Sequence, residues 1–218
     1  VEDGAFATLR AAQLDLSGNS LASIVTGAFG DLELSGKLDL RNNAIVCVEA
    51  GAFATLRAAD VDLSGNSLAS IVTGAFGDLA LSGKLDLRNN AQPMAAIETH
   101  AFAGSVVGSL DVEGSTIGRL EAHALSGLVL HDAEVALRKS SIAFVGAGAF
   151  SNLSRSSGEA FSTVDLSENA IETVEDGAFA ALRAADVNLS GNSLTRVVTG
   201  AFRDVQIRDT LDLGSSRI

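Results

Sequence analysis

The chain has no tryptophan and no tyrosine, and only one cysteine, one proline and one methionine among its 218 residues. Trp and Tyr, with Arg, dominate the energetic centres of protein interfaces, and aromatic rings are the stacking platforms for sugars, so their absence disfavours a tight, aromatic-anchored ligand. A single thiol, Cys47, allows no internal disulfide. No apolar run approaches the roughly 18 residues that read as a membrane-spanning helix, and no basic, apolar, small-residue leader opens the chain at Val1. Cations are scarce too. Fifteen Lys and Arg stand against 27 Asp and Glu, and a net charge of −12 repels phosphate, which disfavours nucleic acid as a partner. Chemistry is equally thin: Cys47 has no recognisable His and Asn partners, and no phosphate-cradling glycine loop or dinucleotide fingerprint is present. The expectation is a non-enzymatic protein without a cofactor.

What the chain does contain is repetition. Triplets of the L-x-L kind begin at Leu14, Leu38, Val61, Leu85, Leu110, Val135, Val164, Val187 and Leu211, at spacings of 23 to 25 residues with a single spacing of 29. A fixed period of that size signals a solenoid. Phenylalanine keeps the same beat at Phe6, Phe29, Phe53, Phe76, Phe102, Phe150, Phe179 and Phe202; Leu125 fills the missing slot, and only Phe144 and Phe161 lie outside it. Within one copy, Leu14-Asp15-Leu16 alternates as a half-buried strand does, Ser17-Gly18-Asn19 breaks it, and Leu21, Ile24 and Phe29 return inward. Each coil then buries its apolar side only against its neighbours.

The pattern L-x-L-x-x-N-x-L-x-x-I followed by G-A-F-x-x-L resembles the leucine-rich repeat, in its typical class of about 24 residues found in many extracellular receptors and matrix proteins. The resemblance covers essentially the whole chain. It implies an α/β-type repeat solenoid over residues 1–218: a curved arc with a parallel β-sheet on the concave face and irregular or short helical return segments on the convex face. It also implies an asparagine ladder satisfying backbone groups of adjacent turns, at Asn19, Asn43, Asn66, Asn90, Asn169 and Asn192, with Ser115, Ser140 and Ser216 in the remaining places. Secreted relatives usually close each end with a disulfide-bonded cap, so a chain with Cys47 alone is expected to be a piece without its caps, the alternative being a protein that caps itself in another way or stays in a reducing compartment.

The copies are unequal. Residues 4–44 and 51–91 agree at 38 of 41 positions, which marks duplication of a two-coil unit. Between about 91 and 163 the text loosens: Gln92-Pro93-Met94 is inserted, Ala136 replaces a strand Asp, and Ser154 to Ser162 reads as an extra loop outside the core, carrying Phe161.

The strand midpoints form a column of Asp15, Asp39, Asp62, Asp86, Asp111, Ala136, Asp165, Asn188 and Asp212, expected to face solvent on the concave side at about 4.8 Å spacing, where stacked like charges repel. Flanking columns add Lys37, Lys84, Arg41, Arg88 and Arg138, but also Asp60, Glu113, Glu134 and Asp186. Candidate partner-binding residues are therefore Asp15, Asp39, Arg41, Asp62, Asp86, Arg88, Asp111, Glu113, Arg138 and Asp165. Two readings stay open: a surface for a basic partner or a divalent cation, or family text with Lys and Arg of alternate strands as local compensation. Calcium suits such oxygens better than zinc does but is not expected. His100 and His123 occupy equivalent slots and should stack one coil apart, yet two imidazoles do not define a zinc site. Asn152-Leu153-Ser154 and Asn188-Leu189-Ser190 match the glycosylation pattern. Cys47 falls outside the apolar rows of Ile45 and Val48 and should be reachable.

Two functions fit: by resemblance, the ectodomain of a receptor or adhesion protein that binds a protein ligand on its concave face, extracellular or at the cell surface; or a repeat protein that self-associates into an extracellular layer, filament or matrix. The near-identical copies favour the second, because a receptor face gains specificity by diversifying.

Overall fold

In a computed structural model, which describes residues 1–90 and 92–216, the chain winds as a parallel β-solenoid of about eight turns. Each turn has three sides. The first is a seven-stranded sheet of two-residue strands, from Arg10–Ala11 through Glu33–Leu34 and Val129–Leu130 to Ser154–Arg155. The second carries the L-x-L triplets, in a five-stranded sheet from Leu14–Asp15 to Ser109–Asp111 and a four-stranded sheet from Glu134–Ala136 to Gln206–Asp212. The third pairs Ser23–Ile24 with Cys47–Val48, then runs from Met94–Ile97 to Arg196–Val197. Successive turns stack in register, as in Lys84↔Ser109, Leu85↔Leu110 and Asp86↔Asp111.

The single sheet with irregular or short helical returns expected from the family resemblance is thus corrected in two respects. Three sides rather than one are β, and no helix occurs among the described residues. The reason is local. Two residues before and two after each Phe of the repeating row, the backbone is left-handed, as at Gly27 (φ 70°) and Asp31 (φ 58°) around Phe29. Three residues between such points are fewer than one helical turn of about 3.6, so no i→i−4 bond closes there. His100 (φ 55°) and His123 (φ 57°) stand in the column that Gly27, Gly51 and Gly74 otherwise hold. A side chain in that conformation costs roughly 1–2 kcal/mol.

One continuous apolar core runs along the axis. Phe6, Phe29, Phe53, Phe76 and Phe102 stack with centroids 5.3–5.6 Å apart and planes within 11°. Leu125 interrupts the stack, and Phe150, Phe179 and Phe202 resume it at 4.9 and 5.1 Å. Phe161 corrects the expected extra loop. Ser154–Arg155 pairs back onto Val129–Leu130, while Phe161–Asp165 pairs forward onto the next turn with Phe161 opposite Ala184. Only residues 156–160 lie between these strands, and Phe161 is 2% exposed. Phe144 is half-buried, with the Arg119 guanidinium 3.9 Å from its ring centroid.

Two outcomes follow from this packing. Phe76→Ala and Phe161→Ala should each lose about 3–5 kcal/mol in denaturant titrations through lost transfer and a cavity, and Phe144→Ala only a small part of that. A near-zero loss at Phe161 would return it to an exposed loop. Cys47 is exposed on the third side. A polar maleimide should therefore label it in the folded protein; protection until denaturant is added would place the thiol inside.

Candidate interaction surface

The L-x-L side rests on the asparagine ladder at its edge. Asn66 Nδ2 donates to Leu63 O (2.9 Å) in its own turn and Leu40 O (3.1 Å) in the turn before, while Oδ1 accepts from Ile45 N (3.1 Å). Asn43 repeats the pattern with Leu40, Leu16 and Leu21, Asn90 with Leu87, Leu63 and Leu68, and Asn192 with Leu189, Leu166 and Ile171. Asn169 serves Leu166 O, Leu137 O and Ile142 N, and also accepts from Ser140 N. Asn19 reaches Leu16 O in its own turn. A serine carries one donor and a shorter arm. Ser115 still reaches the turn before it, donating to Leu87 O at 2.8 Å and accepting from Asn90 N at 3.0 Å, whereas Ser140 Oγ turns to Arg138 O in its own turn. The L-x-L sheet divides at this place, between Ser109–Asp111 and Glu134–Ala136.

The aspartate column is not the solvent-facing, self-repelling row expected. Asp39, Asp62, Asp86 and Asp165 are buried, at 5–9% exposure, Asp111 and Asp212 are half-buried, and of the column's aspartates Asp15 alone is exposed. Their common task is a turn. Oδ1 accepts the backbone N–H two residues on: Ser17 for Asp15 (2.9 Å), Arg41 for Asp39 (3.2 Å), Ser64 for Asp62 (2.9 Å), Arg88 for Asp86 (3.1 Å), Glu113 for Asp111 (3.0 Å), Ser167 for Asp165 (2.9 Å) and Gly214 for Asp212 (2.8 Å). Asn188 does the same for Ser190 (3.0 Å), since an amide oxygen serves as well as a carboxylate. Ala136 has no such acceptor. The sequence signal was available in the side-chain oxygen two residues ahead of each strand exit, but the column reads first as charge.

The second oxygens meet cations. Lys37 Nζ bridges Asp39 (3.2 Å) and Asp62 (2.6 Å), and Lys84 Nζ bridges Asp86 (3.5 Å) and Asp111 (2.6 Å). Arg41 pairs with Asp39 at 3.0 Å and Arg88 with Asp86 at 2.7 Å, while Arg138 stands 4.0 Å from Asp165. Burial pushes the Asp62 carboxyl up, but hydrogen bonds from Lys37 and Ser64 outweigh it and hold the group below its ordinary value. Burial acts likewise on Asp86, and Arg88 with Lys84 reverses it. On Lys37 burial works downward, and Asp62 and Asp39 overcome it to raise the ammonium. Arg41 and Arg138 remain exposed on this side, as do Glu113 and Glu134.

The other sequence candidates are dispersed. His100 and His123 stack at 5.4 Å, one turn apart and exposed, with Ser151 Oγ 3.4 Å from His123 Nδ1. Among the described residues no group of three or more His, Cys, Asp or Glu is arranged to hold a metal. Asn152 is exposed, whereas Asn188 is half-buried with Oδ1 engaged by Ser190 N and Oγ (2.7 Å).

A carboxyl held below its unfolded value stabilises the fold above that value, near 3.8, and loses the contribution as pH falls through the lower, folded one. Thermal melts should therefore drop as pH falls below about 4. Asp62→Ala should cost about 1–3 kcal/mol, because Ser64 N–H and Lys37 lose their acceptor. Asp62→Asn should cost less, keeping the turn as Asn188 does, and should flatten the acid limb. An Asn variant more stable than the parent at neutral pH would mean that repulsion governs the column after all.

No family model and no curated protein sequence matches the chain. Among solved structures it is similar to the crystal structure of human 5T4 (Wnt-activated inhibitory factor 1, trophoblast glycoprotein), at 22% identity and a TM-score of 0.41, over 94% of this chain and 70% of that one.

Proposed function

We propose that residues 1–218 form a single leucine-rich-repeat-type solenoid that acts as a non-enzymatic protein-interaction module, the ectodomain of a receptor or adhesion protein outside the cell or at its surface. The observation that supports this reading is the ordering of charge on the L-x-L side. Lys37, Arg41, Lys84 and Arg88 are already held on buried carboxylates, so a partner meeting them need not bear the entropy of fixing four long side chains. Exposed Asp15, Glu113 and Glu134 leave this side suited to a partner with a basic patch. Calcium has little place in this scheme, because the column oxygens are engaged by backbone N–H groups and cations. Asn152 is the better of the two glycan positions.

The experiment is a binding screen against displayed secreted and cell-surface ectodomains. One saturable interaction is expected, weakened by Glu113→Lys with Glu134→Lys and retained by Arg57→Ala on the first side. Binding indifferent to the L-x-L variants would remove the proposal. A second reading, self-assembly into an extracellular layer or matrix, is favoured by the near-identity of residues 4–44 and 51–91, which offers the same surface twice. Sedimentation velocity from micromolar to near-millimolar protein separates the two: a monomer throughout keeps the interaction module, and concentration-dependent growth replaces it with the array.

A further inference from the structure

The split turn at Ser154–Asp165 does something the repeat does not require. Along the first side the inward position holds Leu34, Ala58, Leu81, Val107 and Leu130, all buried. The next residue in that register, paired opposite Leu130, is Arg155. An arginine placed at a leucine's position has to satisfy five donors with little water to help. It does so only in part. Nη1 donates to Glu159 Oε2 and Ala160 O, both at 3.2 Å, while Nε is buried without a partner among the described residues and the side chain is 16% exposed.

Around it the side is open rather than closed by the next turn. Two adjoining grooves, of about 330 and 460 Å³, share Arg155, Glu159, Phe161 and Arg183 as walls, and Arg208 borders the second. Arg183 Nη1 donates to Gly158 O at 3.0 Å, which pins the short loop, and Arg208 is paired with its neighbour Asp209 at 2.9 Å. Three arginines thus line one groove of a chain whose net charge is −12. Glu159, with a side chain 74% exposed, already lays a carboxylate on Arg155. That contact shows the shape of what fits: an oxyanion arriving from solvent, taking the face of Arg155 that Glu159 occupies, with Arg183 at its flank.

We propose that this groove is a binding site for an oxyanion, a carboxylate or phosphate, with Arg155 as its principal donor and Glu159 as the internal group the ligand displaces. The same chemistry is carried by a free small anion and by an acidic side chain of a partner protein. Arg155→Leu is the informative variant, because it restores the residue type of Leu81 and Leu130 and should fold at least as well as the parent.

The test is an NMR titration of ¹⁵N-labelled protein with inorganic phosphate, succinate and a short glutamate-rich peptide, each at ionic strength matched with sodium chloride. Saturable shifts of the Arg155 Nε–Hε signal and of the Gly158 and Arg183 amides are expected with at least one of these probes. Glu159→Gln should tighten binding several-fold by removing the competing carboxylate, and Arg155→Leu should abolish the shifts at Gly158 and Arg183 while the spectrum stays folded. Stronger binding of the peptide assigns the oxyanion to a partner's acidic segment; stronger binding of succinate or phosphate assigns it to a free molecule. Shifts no larger than those with chloride, shifts that persist in Arg155→Leu, or weaker binding by Glu159→Gln would overturn the site.

Discussion

Along its strand rows, the backbone N–H groups of this molecule find their carbonyl partners one turn away, and that constraint governs the rest. Leu16 N to Asp39 O, Leu40 N to Asp62 O, Leu63 N to Asp86 O and Leu87 N to Asp111 O are all 2.8 Å, a repeated bond along one row. Where a corner prevents strand pairing, the asparagine side chain takes over, joining carbonyls of two turns and an N–H of the earlier one. Buried backbone polar groups left unpaired would cost as much as lost hydrogen bonds, so the ladder is a condition for stacking the turns. The Phe stack follows from it: rings 5.3–5.6 Å apart lie parallel because the backbones that carry them are already in register.

The departures from the repeat show the same constraint from the other side. The Ser140 side chain does not bridge to the turn before it, Ala136 lacks the turn-making acceptor, and the L-x-L sheet divides next to both. The first and third sides continue across that place through Val106↔Val129 and Arg119↔Phe144, so the solenoid stays one body held on two sides instead of three. At the longest spacing, the turn accommodates its extra residues by pairing backward through Ser154–Arg155 and forward through Phe161, while Thr163–Asp165 pairs with the turns on both sides. The first-side sheet ends there, and the groove opens at that end.

Charge on the L-x-L side follows burial. A carboxylate drawn in to cap a turn has to be compensated where it sits, and Lys37 and Lys84, on the same strands as Asp39 and Asp86, each reach from there to an aspartate of the next turn to do it. The acidic excess of the chain then falls on residues without that task, such as Glu113 and Glu134. The cations Lys37, Arg41, Lys84 and Arg88 are thereby fixed by the fold, while Glu113 and Glu134 stay exposed.

The sequence by itself determined the period, the membership of the Phe and L-x-L rows and the exposure of Cys47, because identical positions one period apart stack and their residue types repeat; the ladder was what the family resemblance implied. It did not determine how many sides a turn has. That depends on left-handed residues such as Asp31 and His100, whose side chains do not advertise their φ the way glycine does. Nor did it reveal that Asp39, Asp62, Asp86 and Asp165 are buried, that Phe161 belongs to the core, or that Arg155 lies opposite Leu130. Each of these is set by a hydrogen bond or pairing to a residue some 22 to 29 positions away. Periodicity in a sequence records which residues share a row; the direction in which each corner turns, and so which rows face one another, is decided only when the turns close on their neighbours.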